Sequence, residues 1–572
     1  MFHPAALPGF LATGGAPARA VEDSTSVSRT QCGPIDVWRW GLESTPGDHV
    51  AFAVSRVVRD THGAVSQARV AESMRTDPKA LTRLLPPFGA AAGDETGAWM
   101  VADSMGFQQL FHTDAGSNSA GVMSSSALAA AWTVQADLDR ERVGIQSLLG
   151  WQLGQGTLFA GIRKLSPGAV ARIDERGVQI TDADIPQLPR LELAEAVTAA
   201  AELLRTSLNA LLDDHPDAVL QLTGGMDSRL LLSAIPEKRR RGLRAMTLEV
   251  PGKGDVAIAS AISERYGIRH DVHGLTDVGD IDPAEAWDLC VADAVRLDGM
   301  SDPVALAAQR IGERAFDQGV RISGLGGEIA RGFYYVGRIQ DRPYTRKDAE
   351  QLASWRMFVN EAVEPGLLDL EFAAWARKAA TDRVYQALRA GGDEWFRAAD
   401  ELYVRHRMQR WAGATDIAVA DQRTVVNPML DPGFLDIASQ LTPQDKAGSR
   451  FLGALQMALD PELGQRPLDG RPAPSAYATP SRWQPAVDVV TTGRRLSRKA
   501  VQRLQRGNRP PAGGTVMAAK VVEHWRRQPD TLRPLGRLDF VRDEWLEDVL
   551  SGRVEPRPSS VAFVTNLVVA TS

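Results

Sequence analysis

The chain has 572 residues, of which 44% are hydrophobic and 24% charged, and its formal net charge is −6. This composition is typical of a soluble globular protein with two or three domains, and so small a net charge predicts no nucleic-acid partner. No apolar run reaches transmembrane length, and the apolar N-terminal stretch lacks the basic flank of a signal peptide, so we expect no membrane partner. Two cysteines, Cys32 and Cys290, are too few for a disulfide framework or a zinc quartet, which favours a cytoplasmic location.

The first third of the chain reads as mostly β-structure. Residues 1–31 are rich in small residues and proline, which predicts loose order. An alternating apolar pattern over His49–Val58 predicts a strand, and residues 97–126 read as strands joined by turns. A helix is expected over Leu138–Leu149.

Residues 217–235 carry the most informative pattern of the chain. A short apolar strand runs into a glycine-rich turn, and a leucine-rich helix is expected to start at about Ser228. Such a strand–turn–helix presents unpaired backbone N–H groups to an anion, and a carboxylate among phosphates suits Mg²⁺. The turn supplies two glycines for close approach, two hydroxyl donors and one carboxylate: Gly224, Gly225, Thr223, Ser228 and Asp227.

The segments that follow alternate between strands and helices. We expect strands at Leu243–Val250 and Arg269–His273, with a helix over Val256–Tyr266 between them. This order predicts a mostly parallel α/β sheet with its ligand at the carboxyl ends of the strands. Residues 320–332 show the same pattern as residues 217–235, because a strand leads into a second glycine-rich turn with one acid, Glu328. The two turns are therefore expected to face each other across one nucleotide.

Four segments, in order, resemble the asparagine synthetase superfamily, which includes β-lactam synthetases and lasso-peptide cyclases. The turn at 223–228 resembles the pyrophosphate loop (PP-loop) of these enzymes, Ser-Gly-Gly-x-Asp-Ser. The other three segments are Val-Pro-Gly-Lys-Gly-Asp-Val-Ala at 250–257 leading to His270, Ser-Gly-Leu-Gly-Gly-Glu at 323–328, and residues 424–435. The likeness extends over most of residues 95–470.

The resemblance implies an organisation in three parts. Residues 1–186 would form a degenerate glutamine amidotransferase-like α+β sandwich. Residues 187–490 would form a parallel-sheet synthetase domain of the ATP pyrophosphatase type, and residues 491–572 a basic linker with a helical C-terminal segment. The chain would activate a carboxylate with ATP, release pyrophosphate, and pass the acyl group to an amine.

The resemblance also implies roles for individual residues. Asp227 and Glu328 would bind Mg²⁺, and Thr223, Gly224, Gly225 and Ser228 would hold the pyrophosphate. Leu222, Met246 and Gly324 stand where the family packs adenine and ribose. Lys446 and Arg450 stand where the family keeps a basic contact to pyrophosphate. From the residues alone, Arg229 and Arg331 could each bind an anionic group or form a structural ion pair.

Three features of the family are altered. The chain starts Met-Phe-His instead of with the cysteine whose α-amine serves as base, and Cys32 is internal, so we expect no glutaminase activity. The lysine expected near residues 461–472 is missing, and Arg466 or Arg471, with Lys446, could supply the positive charge of the second step. Leu325 stands where family members carry an acid, so the general base must come from elsewhere. The weak candidates are Glu401, Asp416 and Asp421.

Residues 494–509 hold seven basic residues and no acid. Such a run is usually a solvated surface, although it could dock an acidic carrier protein, a leader peptide or a phosphorylated substrate.

The sequence favours an ATP-dependent, AMP-forming amide ligase whose partners are ATP, Mg²⁺ and a carboxylate substrate, such as a peptide or a carrier-bound intermediate. Closure within one molecule, as in lactam or lasso-peptide formation, and ligation of two molecules in surface-glycan or metabolite biosynthesis both stay open. A non-catalytic scaffold is the alternative. A sulfur-inserting nucleotide enzyme is a third class, but it needs a reactive cysteine pair.

Overall fold

The computed structural model describes residues 7–15, 27–43, 50–114, 121–183, 188–249, 254–274, 276–314, 316, 319–335, 339, 342–479 and 513–572. The basic run at 494–509, the Val250–Lys253 part of the second motif and the predicted domain boundaries at 186 and 490 lie outside these residues.

Within the described residues the strands form two antiparallel sheets, one parallel sheet and one small hairpin. In chain order they are β1 Gly9–Thr13, β2 Val27–Cys32, β3 Ile35–Trp40, β4 Val50–Ala53, β5 Arg59–Asp60, β6 Gly63–Ala64, β7 Gly89–Asp94, β8 Gly97–Ala102, β9 Phe111–Thr113, β10 Val122–Ser124, β11 Ile162–Lys164, β12 Val170–Asp174, β13 Gly177–Thr181, β14 Val219–Gln221, β15 Arg244–Glu249, β16 Arg269–Gly274, β17 Arg321–Ile322 and β18 Val425–Val426.

The two antiparallel sheets form the N-terminal unit. One has the order β11-β9-β10-β1-β3-β2 and the other β13-β12-β8-β7-β4. Side chains from both sheets share one apolar core, in which the rings of Phe10 and Phe52 meet edge to face with centroids 5.6 Å apart. The predicted sandwich is therefore confirmed.

The expected loose order of residues 1–31 is wrong for β1 and β2. Strand β1 lies inside its sheet between β10 and β3, and all five of its residues are buried. The small residues on either side of Gly9–Thr13 concealed a short apolar strand that tertiary pairing stabilises.

The parallel sheet has the order β16-β15-β14-β17-β18, and every neighbouring pair is parallel. This arrangement confirms the predicted α/β unit, with its strands close to the expected positions. The helix after β14 begins at Met226, two residues before the expected start. Strands β14 and β17 are direct neighbours, so the turns that follow them meet at one edge of the sheet.

Helices cover both kinds of sheet and form most of the C-terminal half. The α-helices are Gln67–Thr76, Ala127–Val134, Arg140–Leu149, Leu193–Asp214, Met226–Ala234, Glu237–Arg240, Asp255–Tyr266, Pro283–Arg296, Pro303–Glu313, Arg346–Leu352, Leu370–Ala390, Trp395–Leu402, Gly413–Ala418, Pro432–Gln440, Pro443–Lys446, Arg450–Leu459, Pro461–Gly464, Ser475–Ala478, Gly513–Arg527, Asp543–Leu550 and Pro558–Thr571. Two segments, Ala353–Met357 and Tyr403–Ala412, are π-helical.

The C-terminal helices pack into a core that begins early in the chain. Helix Pro558–Thr571 is buried along most of its length and shares one apolar cluster with helices Ala127–Val134 and Pro283–Arg296. The side-chain amide of Asn566 donates to the Ser301 carbonyl over 2.7 Å. Among the described residues, no helix is both long and apolar enough to cross a membrane.

Candidate functional site

The turns after β14 and β17 touch each other through two glycines. A Cβ at Gly324 would lie 3.0 Å from the Ser228 nitrogen, and one at Gly327 would lie 2.3 Å from Asp227 Oδ1. A side chain at Gly327 would therefore displace the aspartate. The predicted convergence of the two turns is what the fold produces.

One guanidinium joins the two carboxylates of these turns. Arg331 Nη1 donates to Asp227 Oδ1 over 3.2 Å, and Nη2 lies 3.2 Å from Asp227 Oδ2 and 2.8 Å from Glu328 Oε1. Burial raises the pKa of Asp227 to about 6. The charge of Arg331 opposes this rise, and the charge of Glu328 adds to it. Of the two interpretations of Arg331, an ion pair is the one that the contacts support.

The same carboxylates are a suitable donor set for Mg²⁺. Glu328 Oε2 is buried without a hydrogen-bond partner, and the glycines leave the space beside Asp227 free of side chains. Among the described residues, no group of three or more His, Cys, Asp or Glu side chains could hold a metal. Two carboxylates are nevertheless enough for Mg²⁺, which takes further ligands from phosphates and water in nucleotide sites.

The first turn holds its own backbone donors in place. The N–H of Thr223 donates to Ser228 Oγ over 3.1 Å, and the N–H of Gly225 donates to Thr223 Oγ1 over 3.1 Å. The N–H of Gly224 donates to Asp255 Oδ1 over 2.9 Å. The donors expected to hold a pyrophosphate therefore converge on side-chain oxygens of this loop and of Asp255. Sequence reasoning missed Asp255, although it stands in the quoted 250–257 motif.

A distant segment closes over this turn. The N–H of Asp469 donates to the Gly224 carbonyl over 3.0 Å, and a Cβ at Gly254 would meet Asp469 Oδ1 at 2.6 Å. The positive charge of Arg471, two residues further, lowers the pKa of Asp227. Arg471 is thus within electrostatic reach of the candidate metal ligand, and Asp469 is a second residue that the sequence did not indicate.

Arg466 belongs to the same segment but has a different neighbour. Its Nη2 donates to Glu462 Oε1 over 3.1 Å, and both side chains are partly exposed. Of the two arginines proposed to replace the missing lysine, Arg471 lies within electrostatic reach of Asp227, whereas Arg466 pairs with Glu462.

The side chain of Arg229 binds the backbone of the 463–467 segment. The side chain is fully buried and donates to the carbonyls of Leu463, Arg466 and Pro467, over 3.3, 2.5 and 2.9 Å. Burial lowers the pKa of Arg229 to about 10. Its contacts support the structural interpretation rather than anion binding.

Lys446 and Arg450 are each engaged by an acid. Lys446 Nζ lies 2.7 Å from Asp400 Oδ2, which also accepts from the Tyr335 hydroxyl over 2.9 Å. Burial raises the pKa of Asp400, and Lys446 opposes that shift. Arg450 pairs with Asp445 over 3.0 Å and is half-exposed. Anion binding by either residue requires it to leave or share its acid.

Leu222 and Met246 lie beside each other at the sheet edge. The N–H of Leu222 donates to the Met246 carbonyl over 3.0 Å, and both side chains are fully buried. The Thr247 hydroxyl connects the Leu222 carbonyl, 2.7 Å away, to His270 Nε2, also 2.7 Å away. Backbone, rather than these two side chains, faces the edge expected to take adenine and ribose.

The candidate general bases lie in different environments. Asp421 is fixed between Arg296 and Arg310, and Glu401 pairs with Arg405. Asp416 accepts from Asn427 over 3.2 Å, and burial raises the pKa of Asp416 to about 7.

Asp416 also lines a cavity of about 360 Å³ between residues 53–57 and 416–425. This cavity borders the amino end of β18, whereas the two glycine turns follow the carboxyl ends of β14 and β17. It is therefore separate from the candidate nucleotide site.

Cys32 lies in strand β2 with its thiol packed in the sandwich core. Burial raises the pKa of Cys32 to about 11, with the charges of Asp94 and Asp36 adding to the rise. A Cβ at Gly93 would meet the sulfur at 2.5 Å, so the thiol is enclosed. Such a thiol is a poor nucleophile at neutral pH.

We predict that glutamine is not hydrolysed by this protein and that Cys32→Ala changes nothing in a glutamate-release assay. Release of glutamate or ammonia from glutamine that disappears in Cys32→Ala would contradict the prediction.

The partial overlaps of this chain with solved structures include two with enzymes. One is with a glutamine phosphoribosylpyrophosphate (PRPP) amidotransferase from B. subtilis complexed with ADP and GMP, at 12% identity and a TM-score of 0.21. The other is with the allosteric regulatory enzyme of purine biosynthesis, at 10% identity and a TM-score of 0.20. Each overlap covers 46% of this chain, and it spans 65% of the first protein and 74% of the second. No family model and no curated protein matches the chain. Overlaps with TM-scores this low carry no argument about activity. Any inference about activity therefore rests on the geometry of the site.

Proposed function

We propose that this chain is an ATP-dependent, AMP-forming ligase that adenylates a substrate carboxylate and joins the acyl group to an amine. The supporting observation is the convergence of Asp227 and Glu328, from two neighbouring turns, on one cation position. The turns at 223–228 and 323–328, which resemble motifs of the asparagine synthetase superfamily, follow the two neighbouring strands β14 and β17.

The residues of the site would have different roles in the first half-reaction. Thr223, Gly224, Gly225 and Ser228 would release their present contacts and donate to the departing pyrophosphate, which places donors where negative charge develops. Mg²⁺, held by Asp227 and Glu328, would neutralise phosphate charge when bound. Arg471 lies near enough to share that task.

The second half-reaction needs a positive charge beside the acyl-adenylate as the amide forms. Our candidate for this charge is Arg471, in the 463–471 segment that Arg229 holds over the PP-loop. Arg466 and Lys446 lie further away. An arginine stays protonated at neutral pH and cannot accept a proton, so proton removal from the amine falls to another group. The amine would come from the substrate itself or from a second molecule, since we expect no glutaminase. Closure within one peptide or carrier-bound molecule and ligation of two molecules are both compatible with the site.

One observation favours a second candidate function. Because Arg331 already neutralises both carboxylates, the site resembles a nucleotide site held shut by an internal cation. A non-catalytic scaffold with a degenerate ATP site would keep such a contact permanently.

Isotope exchange between ATP and pyrophosphate separates these functions. Purified protein with Mg²⁺, ATP, labelled pyrophosphate and a panel of candidate carboxylates is expected to form labelled ATP with at least one of them. Exchange that depends on a carboxylate supports the ligase, whereas no exchange with any carboxylate favours the scaffold. A sulfur-inserting enzyme would show no dependence on a carboxylate.

Replacing Arg331 with glutamine is expected to strengthen divalent-metal binding in the absence of nucleotide by about tenfold, or about 1.4 kcal/mol. The variant leaves the charges of Asp227 and Glu328 without their internal counter-ion, so a metal ion no longer has to displace a guanidinium. Titration of Mn²⁺ followed by electron paramagnetic resonance measures this directly.

The matched control for this titration is Arg342→Gln, because Arg342 forms a comparable ion pair with Asp348 over 2.9 Å elsewhere. Equal Mn²⁺ affinity in wild type and Arg331→Gln would show that the two carboxylates do not form a metal site.

A further inference from the structure

Each of the two π-helical segments carries an exposed tryptophan. Trp355 and Val359, in and just after the first segment, are 67% and 54% exposed, and Trp411 in the second is 37% exposed. Segments of this kind are rare and often occur at functional sites.

Both segments send an arginine to the same ring, Phe333. The guanidinium carbons of Arg356 and Arg407 each lie 5.8 Å from its centroid. Arg356 Nη2 also donates to the Phe333 carbonyl over 3.0 Å. Tyr403 stacks on Phe333 with centroids 4.6 Å apart and planes 25° from parallel.

Arg407 lies among three aromatic rings. Its guanidinium carbon is 4.7 Å from the Trp411 centroid and 5.9 Å from that of Trp151, besides its contact with Phe333. Rings hold a guanidinium by cation–π attraction and leave its N–H donors free to bind an anion.

No carboxylate balances this pair of arginines within the part of the chain that the structure describes. The ion pairs found there include neither Arg356 nor Arg407. Burial raises the pKa of Glu361 and the charge of Arg407 lowers it, so the two interact without forming an ion pair. Arg407 also lowers the pKa of the neighbouring Tyr334, which burial raises. The arginines and the rings of Phe333 and Trp411 are called the aromatic wall. Two guanidiniums on this wall, without an ion-pair partner, are suited to bind an external anion.

This wall adjoins the candidate catalytic turns. Phe333 follows Arg331 by two residues, and Arg331 bridges the two carboxylates. Burial raises the pKa of Tyr403, and the charge of Glu328 adds to the rise, so the ring stacked on Phe333 lies near the metal ligand.

We infer that Arg356, Arg407, Phe333 and Trp411 form a binding site for an oxyanion carried on an aromatic body. In the reaction proposed above this group belongs to the substrate and is distinct from the carboxylate that is activated. That role depends on the proposed function, whereas the binding itself does not. Phe333 already stacks on Tyr403 and lies under both guanidiniums, so the exposed part of Trp411 contacts the body. The two guanidiniums contact a carboxylate or a phosphate ester.

Binding can be measured without ATP. Phenylsuccinate and phenyl phosphate are titrated into the full-length protein and followed by calorimetry and by tryptophan fluorescence, with neutral 3-phenylpropanamide as the uncharged probe. At least one anion is expected to bind with a millimolar or lower Kd, and the amide at least about tenfold more weakly. The two anions distinguish a carboxylate site from a phosphate site.

Arg407→Gln and Arg356→Gln are each expected to weaken anion binding at least about tenfold, and Arg407→Lys to weaken it less than Arg407→Gln does. The matched control is Arg377→Gln, because Arg377 makes a similar contact with Phe358, 5.7 Å from its centroid, outside this wall. Circular dichroism checks that each variant is folded.

The inference is overturned if neither anion binds at 10 mM, a concentration of about ten times a millimolar Kd, or if both glutamine variants bind as wild type does. Failure of the proposed function leaves a different pattern, in which anion binding depends on Arg407 but no carboxylate supports ATP–pyrophosphate exchange.

Discussion

Replacing Asp227 with asparagine is expected to lower carboxylate-dependent ATP–pyrophosphate exchange at least about a hundredfold. Asparagine keeps the shape that Gly324 and Gly327 accommodate but removes the negative charge that pairs with Arg331 and would hold the metal. Protonation has the same effect as the substitution. Because burial raises the pKa of Asp227 to about 6 in the metal-free site, protons compete with Mg²⁺ below that value, and exchange by the wild type at limiting Mg²⁺ should fall as the pH drops through it.

The control for this prediction is Asp530→Asn, which removes an exposed acid that pairs with Arg533 far along the chain. It should leave exchange unchanged. Exchange by Asp227→Asn within a few-fold of wild type would remove the central residue of the proposed site, and with it the ligase assignment.

Replacing Arg229 with methionine is expected to destabilise the protein by about 3 kcal/mol and to abolish exchange. The variant keeps the apolar volume but leaves three backbone carbonyls of the 463–467 segment without their donor, and each loss costs about 1 kcal/mol or more. Arg471 and Asp469 then lose their fixed position over the PP-loop. Thermal unfolding and exchange, measured on the same preparation, test both effects.

Arg265→Met is the matched control, since Arg265 is half-exposed and pairs with Glu462 in the same neighbourhood. Its effect on stability should stay below about 1 kcal/mol, as for surface ion pairs generally. A shift in the unfolding midpoint of Arg229→Met no larger than that of Arg265→Met would contradict the role assigned to the buried arginine.

Local patterns in the sequence predicted the parts of the fold that depend on local chemistry. The strand, glycine turn and helix around Thr223–Ser228 follow from residue types within one short window, and so does the second turn before Glu328. That these turns meet could be expected because neighbouring parallel strands end at one edge. The place of β14 between β15 and β17 was not predicted, because strand order depends on contacts between distant segments.

Contacts over long sequence separations could not be predicted in the same way. Nothing near Arg229 indicates that its donors reach carbonyls more than two hundred residues away, and nothing near Gly224 points to Asp469. The pairing of Lys446 with Asp400 is similarly invisible in either local sequence. Arg331 is an intermediate case, because its nearness to Glu328 is local while its contact with Asp227 depends on the sheet.

The burial of helix Pro558–Thr571 against helices from the first half of the chain has a consequence for synthesis. Helix Ala127–Val134 leaves the ribosome more than four hundred residues before its last apolar neighbours do. Until those neighbours arrive, part of its surface stays in contact with water, and nascent chains with such surfaces tend to aggregate. Expression of this protein should therefore depend on chaperones that shield unfinished chains, and slower translation should not relieve that dependence.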